Sequence, residues 1–164
     1  MNQEWKSMKI ILVFTGKTSD EYLKQGLKIY FDRLKHYLPV EIIELNPPKL
    51  PLSLDTKQMR NKESDWILKN LPQTDMLVLL DETGKQLSSV ELADFLQSRM
   101  NQGLKSLTFL IGGAYGVSEA LWEKAGFILS LSALTFTHQM SRLILLEQLY
   151  RALTIIKREP YHNP

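Results

Sequence analysis

The sequence predicts a single α/β domain with a mainly parallel sheet and helices on both faces. Three observations carry this reading. Apolar runs of strand length alternate along the chain with longer segments that suit helices. Those runs are continuous rather than alternately polar, as expected of strands covered on both sides. The 164 residues, 44% hydrophobic and 23% charged, suit one globular unit that buries roughly 70% of its unfolded surface.

The elements follow in order. Residues 1–7 read as an N-terminal extension or alternative start ahead of a domain over 8–164. Lys9 to Thr15 is a buried strand, and a helix follows near 19–37. Val40 to Leu45 is the second strand, and Asn46-Pro47-Pro48-Lys49-Leu50-Pro51 is an irregular connection rather than a domain linker. A helix near 54–70 leads to a third strand, Asp75 to Leu80. The helix near 89–101 starts at Ser88 or Ser89 ahead of Glu91. The one near 118–124 starts at Ser118 ahead of Glu119, so each pairs a hydroxyl cap with an acid in the first turn. Ser106 to Ile111 and Phe127 to Leu131 are the fourth and fifth strands, and a last helix runs from about 139 to 157.

That last helix carries Leu143, Leu145, Leu146, Leu149, Tyr150, Ala152, Leu153 and Ile156 over about half its wheel, with Ile144 and Ile155 on the other side. A surface helix needs one apolar stripe. The surplus predicts a second apolar contact, with another copy of the chain, and hence a two-fold homodimer in which Leu146 and Leu153 face the partner.

Composition excludes several chemistries. There is no cysteine, which removes disulfides, thiolate metal sites and cysteine nucleophiles. A net charge of +2 does not by itself argue for nucleic acid. The first seven residues lack the apolar core of a signal peptide, and no stretch of 18 uncharged apolar residues exists to span a membrane. A cytoplasmic location without membrane association is the expectation. Gly16-Lys17-Thr18 resembles the end of a phosphate-binding loop. The leading glycine of that motif is replaced by Ile11, so a plain strand-to-helix turn is the reading.

Two segments carry function. Ile111-Gly112-Gly113-Ala114-Tyr115-Gly116 is a strand that breaks into glycines, where backbone groups approach a ligand without side chains intervening. Leu131-Ser132-Ala133-Leu134-Thr135-Phe136-Thr137-His138 is a loop too apolar for a solvated connection, and once buried its peptide groups need partners. Together they point to a nucleotide-like cofactor held by backbone.

These two runs, followed by Arg142, Glu147, Tyr150-Arg151-Ala152 and Pro160-Tyr161-His162, resemble the SPOUT methyltransferases. Within them the chain is similar to the ribosomal large-subunit methyltransferase H family over Met8 to His162. The resemblance implies a trefoil-knotted C-terminal region, with 131–137 as the threaded segment. It also implies S-adenosylmethionine-dependent methylation of N3 of a pseudouridine in 23S rRNA, without metal, by a homodimer acting on rRNA or the ribosome. It places the cofactor against Leu80, Gly112, Gly113, Ser132, Ala133, Leu134, Thr135, Phe136 and Thr137. It assigns His138, Arg142, Tyr161 and His162 to the catalytic side. His138, at the start of the last helix, is expected to be a neutral base or positioning group, and Arg142 to offset anionic charge or hold phosphate. Glu147 and Arg151 read as a salt bridge within the helix or across the dimer.

Three positions depart from the family pattern. Thr137 replaces a common proline, which adds a backbone donor and is expected to loosen the loop. Asn163 replaces a basic residue, leaving Lys157 or Arg158 to supply that charge. Tyr115 stands where a small or polar residue is usual, either to stack on a base or to pack. A non-knotted α/β enzyme using another adenine nucleotide and a catalytically silent RNA-binding dimer are the alternative readings.

Overall fold

The computed structural model describes residues 7–164, so the expected extension lies outside the described residues except for Ser7. The elements run β1 (Lys9–Thr15), α1 (Glu21–Leu34), β2 (Val40–Leu45), α2 (Thr56–Asn70), β3 (Met76–Gln86), α3 (Ser89–Asn101), β4 (Ser106–Ile111), α4 (Glu119–Lys124), β5 (Phe127–Ser130) and α5 (His138–Ile156). The five strands form one sheet ordered β2-β1-β4-β3-β5, and each neighbouring pair is parallel.

Pleating sorts the strand side chains into two cores. Ile10, Leu12 and Phe14 of β1 join Leu107, Phe109 and Ile111 of β4 on one face, under Leu27, Leu96, Leu146 and Leu149 of α1, α3 and α5. Ile11, Val13, Leu77, Leu79 and Leu110 point the other way, onto Ile67 of α2 and Leu121 of α4. The predicted two-sided cover is therefore three helices against two. Ser88 and Ser118 cap α3 and α4 as expected, with Ser88 in a reciprocal capping box with Glu91. Asp55 forms the same box with Gln58 at the head of α2.

β3 departs from the expected boundary at Leu80 by continuing to Gln86, with its register against β5 shifting between Leu80 and Lys85. The Asp81 carboxylate accepts from the N–H and hydroxyl of Thr83 at 2.9 and 2.5 Å, which puckers the strand there. At Gly84 an added Cβ would stand 2.7 Å from the Ile128 backbone, so the strands close up again only because glycine has none. The polar run through this bulge hides its strand character from an apolar pattern.

Two expectations are corrected by burial. Leu146 and Leu153 are fully enclosed within their own chain. They pack against α1, α3 and the sheet, so neither leucine is free to meet a partner, and Ile144 is left half-buried on the other side of α5. The loop 131–137 is in turn not buried in this chain, since Leu134 is 73% exposed. Its apolar side chains edge an open cleft.

Candidate active site

In parallel α/β sheets ligands bind outside the carboxyl ends of the strands, and the main cleft lies there. It holds about 540 Å³, within the range of small-molecule sites. Leu80 to Glu82 of β3 form one wall and the turn after β4 (Ile111 to Ala114, with Gly116) another. The loop after β5 and the first turn of α5 complete it. Of the residues expected to touch cofactor, Leu80, Gly112, Gly113, Ser132, Leu134, Thr135, Phe136 and Thr137 line this cleft. Ala133 does not. Asp81, Glu82 and Ser141 are additional lining residues that the sequence reading missed. They belong to the hidden bulge and to a polar helical position without a motif.

Hydrogen bonds within the chain shape the loop. Ser130 donates its hydroxyl to the Ser132 carbonyl at 3.1 Å, and Ser132 accepts from the Leu134 N–H at 2.9 Å. Thr137 does not loosen this segment. It is the N-cap of α5, its hydroxyl accepting from the Met140 N–H at 3.1 Å and its carbonyl taking the Ser141 hydroxyl at 3.0 Å. Thr137→Ala should therefore destabilise the fold by about 1 kcal/mol, read as a lower urea midpoint at unchanged slope.

His138 lines the cleft as the first residue of α5. Burial, and then the nearby Arg142 cation, hold its imidazole below the ordinary histidine range. The ring is thus neutral at neutral pH, as expected, though desolvation rather than the helix dipole is the main cause.

Arg142 is not available to phosphate. It has no exposed surface. Its guanidinium donates to the Thr15 carbonyl and the Thr18 hydroxyl, both at 2.9 Å, and lies over the Phe14 ring. Gln139 donates to the Lys17 carbonyl and accepts from the Ser19 N–H. The strand-to-helix turn at Gly16-Lys17-Thr18 is thus stitched to the head of α5.

Tyr161 and His162 stand at the other end of α5. Tyr161 donates its hydroxyl to Glu147 at 3.1 Å and packs against Tyr150, while Arg151 pairs with Glu147 and approaches His162. The 19 residues of α5 span roughly 28 Å at 1.5 Å per residue. The tail after α5 folds back along it, so these two residues sit beside Glu147 and Arg151, roughly 13–20 Å along the axis from His138 at 1.5 Å per residue. Tyr115, 40% exposed on the glycine turn, lies at the rim outside the cleft lining. Arg158 and Asn163 are exposed beyond α5.

Behind the glycine turn is a group that no sequence motif flagged. Glu63 of α2 is nine-tenths buried, and its Oε1 has no hydrogen-bond partner among the described residues. A Cβ added at Gly113 would stand 2.5 Å from that oxygen and 3.3 Å from Thr15 Cγ2. The bare Gly113 backbone is thus all that separates the carboxyl from the cleft wall at this point. Burial pushes the Glu63 acid above the ordinary glutamate range.

A strand that opens into glycines, a neutral histidine in the cleft wall and a returning C-terminal loop define a class, and comparison with known proteins names it. The family described as "Predicted SPOUT methyltransferase" matches residues 8–162, and the chain belongs to it. More narrowly, it belongs among the ribosomal RNA large subunit methyltransferase H proteins. Those of Christiangramia forsetii and Cytophaga hutchinsonii are 49% and 46% identical over 156 residues, covering 95% of this chain and 99% and 100% of theirs. Among solved structures, a methylase family protein from Neisseria gonorrhoeae superposes with a TM-score of 0.50 at 12% identity, over 100% of this chain and 89% of its own. A methyltransferase from Legionella pneumophila, solved with bound SAM, gives the same score and identity over 92% and 67%. At that identity the likeness is one of fold.

Proposed function

We propose that the chain methylates N3 of a pseudouridine in 23S rRNA, using S-adenosylmethionine, in the cytoplasm and as a homodimer on the large ribosomal subunit. The observation that carries this reading is the cleft at the strand ends, walled by the glycine turn and His138, in a chain 49% identical to a ribosomal RNA large subunit methyltransferase H. The cleft fits the cofactor. Its volume suits a nucleoside with an amino-acid arm, bare backbone at Gly112 and Gly113 permits close approach, and Glu63 leaves an unpaired carboxyl behind that wall. When bound, S-adenosylmethionine supplies an electrophilic methyl group on a cationic sulfur.

The chain's own residues then have two tasks. Leu134, Phe136 and the glycine turn enclose the donor and fix its direction, and positioning of this kind contributes roughly 7–11 kcal/mol toward the barrier. An imide N–H is weakly acidic, so its proton must leave as the methyl arrives, and the neutral imidazole of His138 accepts it. Tyr161 and His162, held beside the middle of α5 and outside the lining of this cleft, serve the cleft of a second copy rather than their own, with Tyr115 at the rim toward the RNA. The segment 131–137 is the threaded part of the knot.

Isothermal titration of the chain with S-adenosylmethionine and with its demethylated product, without metal, tests the cofactor reading, and both should bind. In single-turnover assays on ribosomes, His138→Ala should slow methylation at least tenfold with cofactor affinity changed by less than a few-fold. Because the His138 pKa is lowered, its base form persists below pH 6.5, and the wild-type rate should not fall between pH 8 and 7 through histidine protonation. The defect of the variant should shrink as pH rises toward the imide pKa. Wild-type rates from His138→Ala would remove the histidine from the mechanism.

A further inference from the structure

A carboxyl that is nine-tenths buried, with an oxygen lacking any partner, is costly unless something supplies the missing interaction. Glu63 is in this position, directly behind the glycine turn. We propose that Glu63 is the electrostatic backing of the donor cleft, a positioning residue that takes its counter-charge from a cationic ligand and so holds S-adenosylmethionine in preference to its demethylated product. The inference rests on the cofactor reading above and adds to it a residue and a source of selectivity.

The geometry supports this on three counts. Gly113 lines the cleft, and the side chain it lacks would point at Glu63 Oε1. The charge therefore acts across one thickness of backbone, with no side chain between. The helix segment that carries the carboxyl is also held in place. The next residue, Ser64, accepts at 2.9 Å from the N–H of Ser118, the cap of α4, so the α2 segment bearing Glu63 is tied to the turn it backs. Finally, no opposite charge among the described residues pairs with the carboxyl. β1 brings Thr15 to this place, the turn brings the Gly113 backbone, and the cap of α4 brings the Ser118 N–H to the neighbouring Ser64. On its own helix, Lys62 and Asp65 are exposed, and Arg60 lays its Cδ toward Gly116. The acid is raised by burial alone, with no cation acting against it.

The two ligands differ by one methyl and one charge. S-adenosylmethionine carries a sulfonium, an ammonium and a carboxylate, whereas the product has lost the sulfonium charge with the methyl group. A cation in the cleft favours ionised Glu63, so binding the donor expels the carboxyl proton to solvent. Once the methyl has gone, the reason for ionisation goes with it, Glu63 takes a proton back, and the product is held less tightly. Product release is thereby favoured by the same residue that favours donor capture.

Calorimetric titration of the full-length chain with each ligand, from pH 5 to 8 and in two buffers of different ionisation enthalpy that both buffer at each pH, measures affinity and proton release together. Wild type should release protons with S-adenosylmethionine and fewer with the product, and should prefer the donor increasingly as pH rises through the raised Glu63 pKa. Glu63→Gln keeps the shape and removes the charge. It should lose this pH dependence and lower the donor-to-product preference about tenfold, the size of a one-unit pKa change. His138 also faces the cleft but is common to both proteins, so the difference between them isolates Glu63. Equal proton release for the two ligands in wild type, a measurement that needs no variant, would overturn the proposal. An unchanged preference in folded Glu63→Gln would do the same. Failure of wild type to bind either ligand would instead strike at the cofactor reading, and this inference would fall with it.

Discussion

The Leu146→Glu, Leu153→Glu double variant should fail to fold, rather than dissociate into folded monomers. Both side chains are fully enclosed by the α1–α3 face of their own chain. Each change deletes a core leucine, worth about 2–5 kcal/mol, and buries a carboxylate with no partner, worth several more. Together these equal or exceed the roughly 5–15 kcal/mol that stabilises a typical domain. Circular dichroism should show lost helix signal at 25 °C, and even Leu146→Glu alone should show a severely lowered urea midpoint. Ile144→Glu, on the half-buried side of α5, should fold normally. It is the variant whose light scattering reports on association. A cooperative, wild-type-like transition from the double variant would contradict the placement of these leucines.

Gly113→Val should abolish cofactor binding, although not by filling the cleft. The new Cβ points away from the ligand space, at Glu63 Oε1 and Thr15 Cγ2. Glu63 is buried and its helix is tied to Ser118, so the glycine turn has to lift and the cleft wall moves with it. Overpacking of this kind costs about 1–3 kcal/mol, so the fold should survive while isothermal titration shows no heat of binding for S-adenosylmethionine. Glu63→Ala placed behind Gly113→Ala should recover part of the affinity, because the two changes share one contact and are non-additive. Unchanged affinity in Gly113→Val would take the turn out of the site.

The fold was legible wherever burial wrote itself into composition. The five apolar runs became five parallel strands, and Ser88 and Ser118 cap the helices they were expected to start. β3 beyond Leu80 was not legible, because a puckered strand held by Asp81 and Thr83 has polar residues where an apolar period is sought. The apolar excess of α5 was legible as a demand for more than one contact, but Leu146 and Leu153, assigned to a partner, are covered by the helix's own chain. A wheel records how many sides are covered and not by what. For the site, the glycine run and the apolar loop located the cleft by their lack of side chains and lack of polarity. Arg142 and Glu63 lay beyond such reasoning, because a charge enclosed in the fold looks in sequence like a charge on its surface.

The anchoring of Arg142 on the Thr15 carbonyl joins residues 127 positions apart. A ribosome adds roughly 5–20 residues per second, so the end of the first strand leaves the ribosome about 6 to 25 seconds before the guanidinium that holds it. Through that interval β1 has α1, β2 and in time β4 for company, but the floor of the cleft has no last wall. The chain's capacity to take a methyl donor is therefore a property of its completed length. Shortened products of synthesis would hold most of a sheet and an incomplete cleft, open where the loop after β5 and the head of α5 belong.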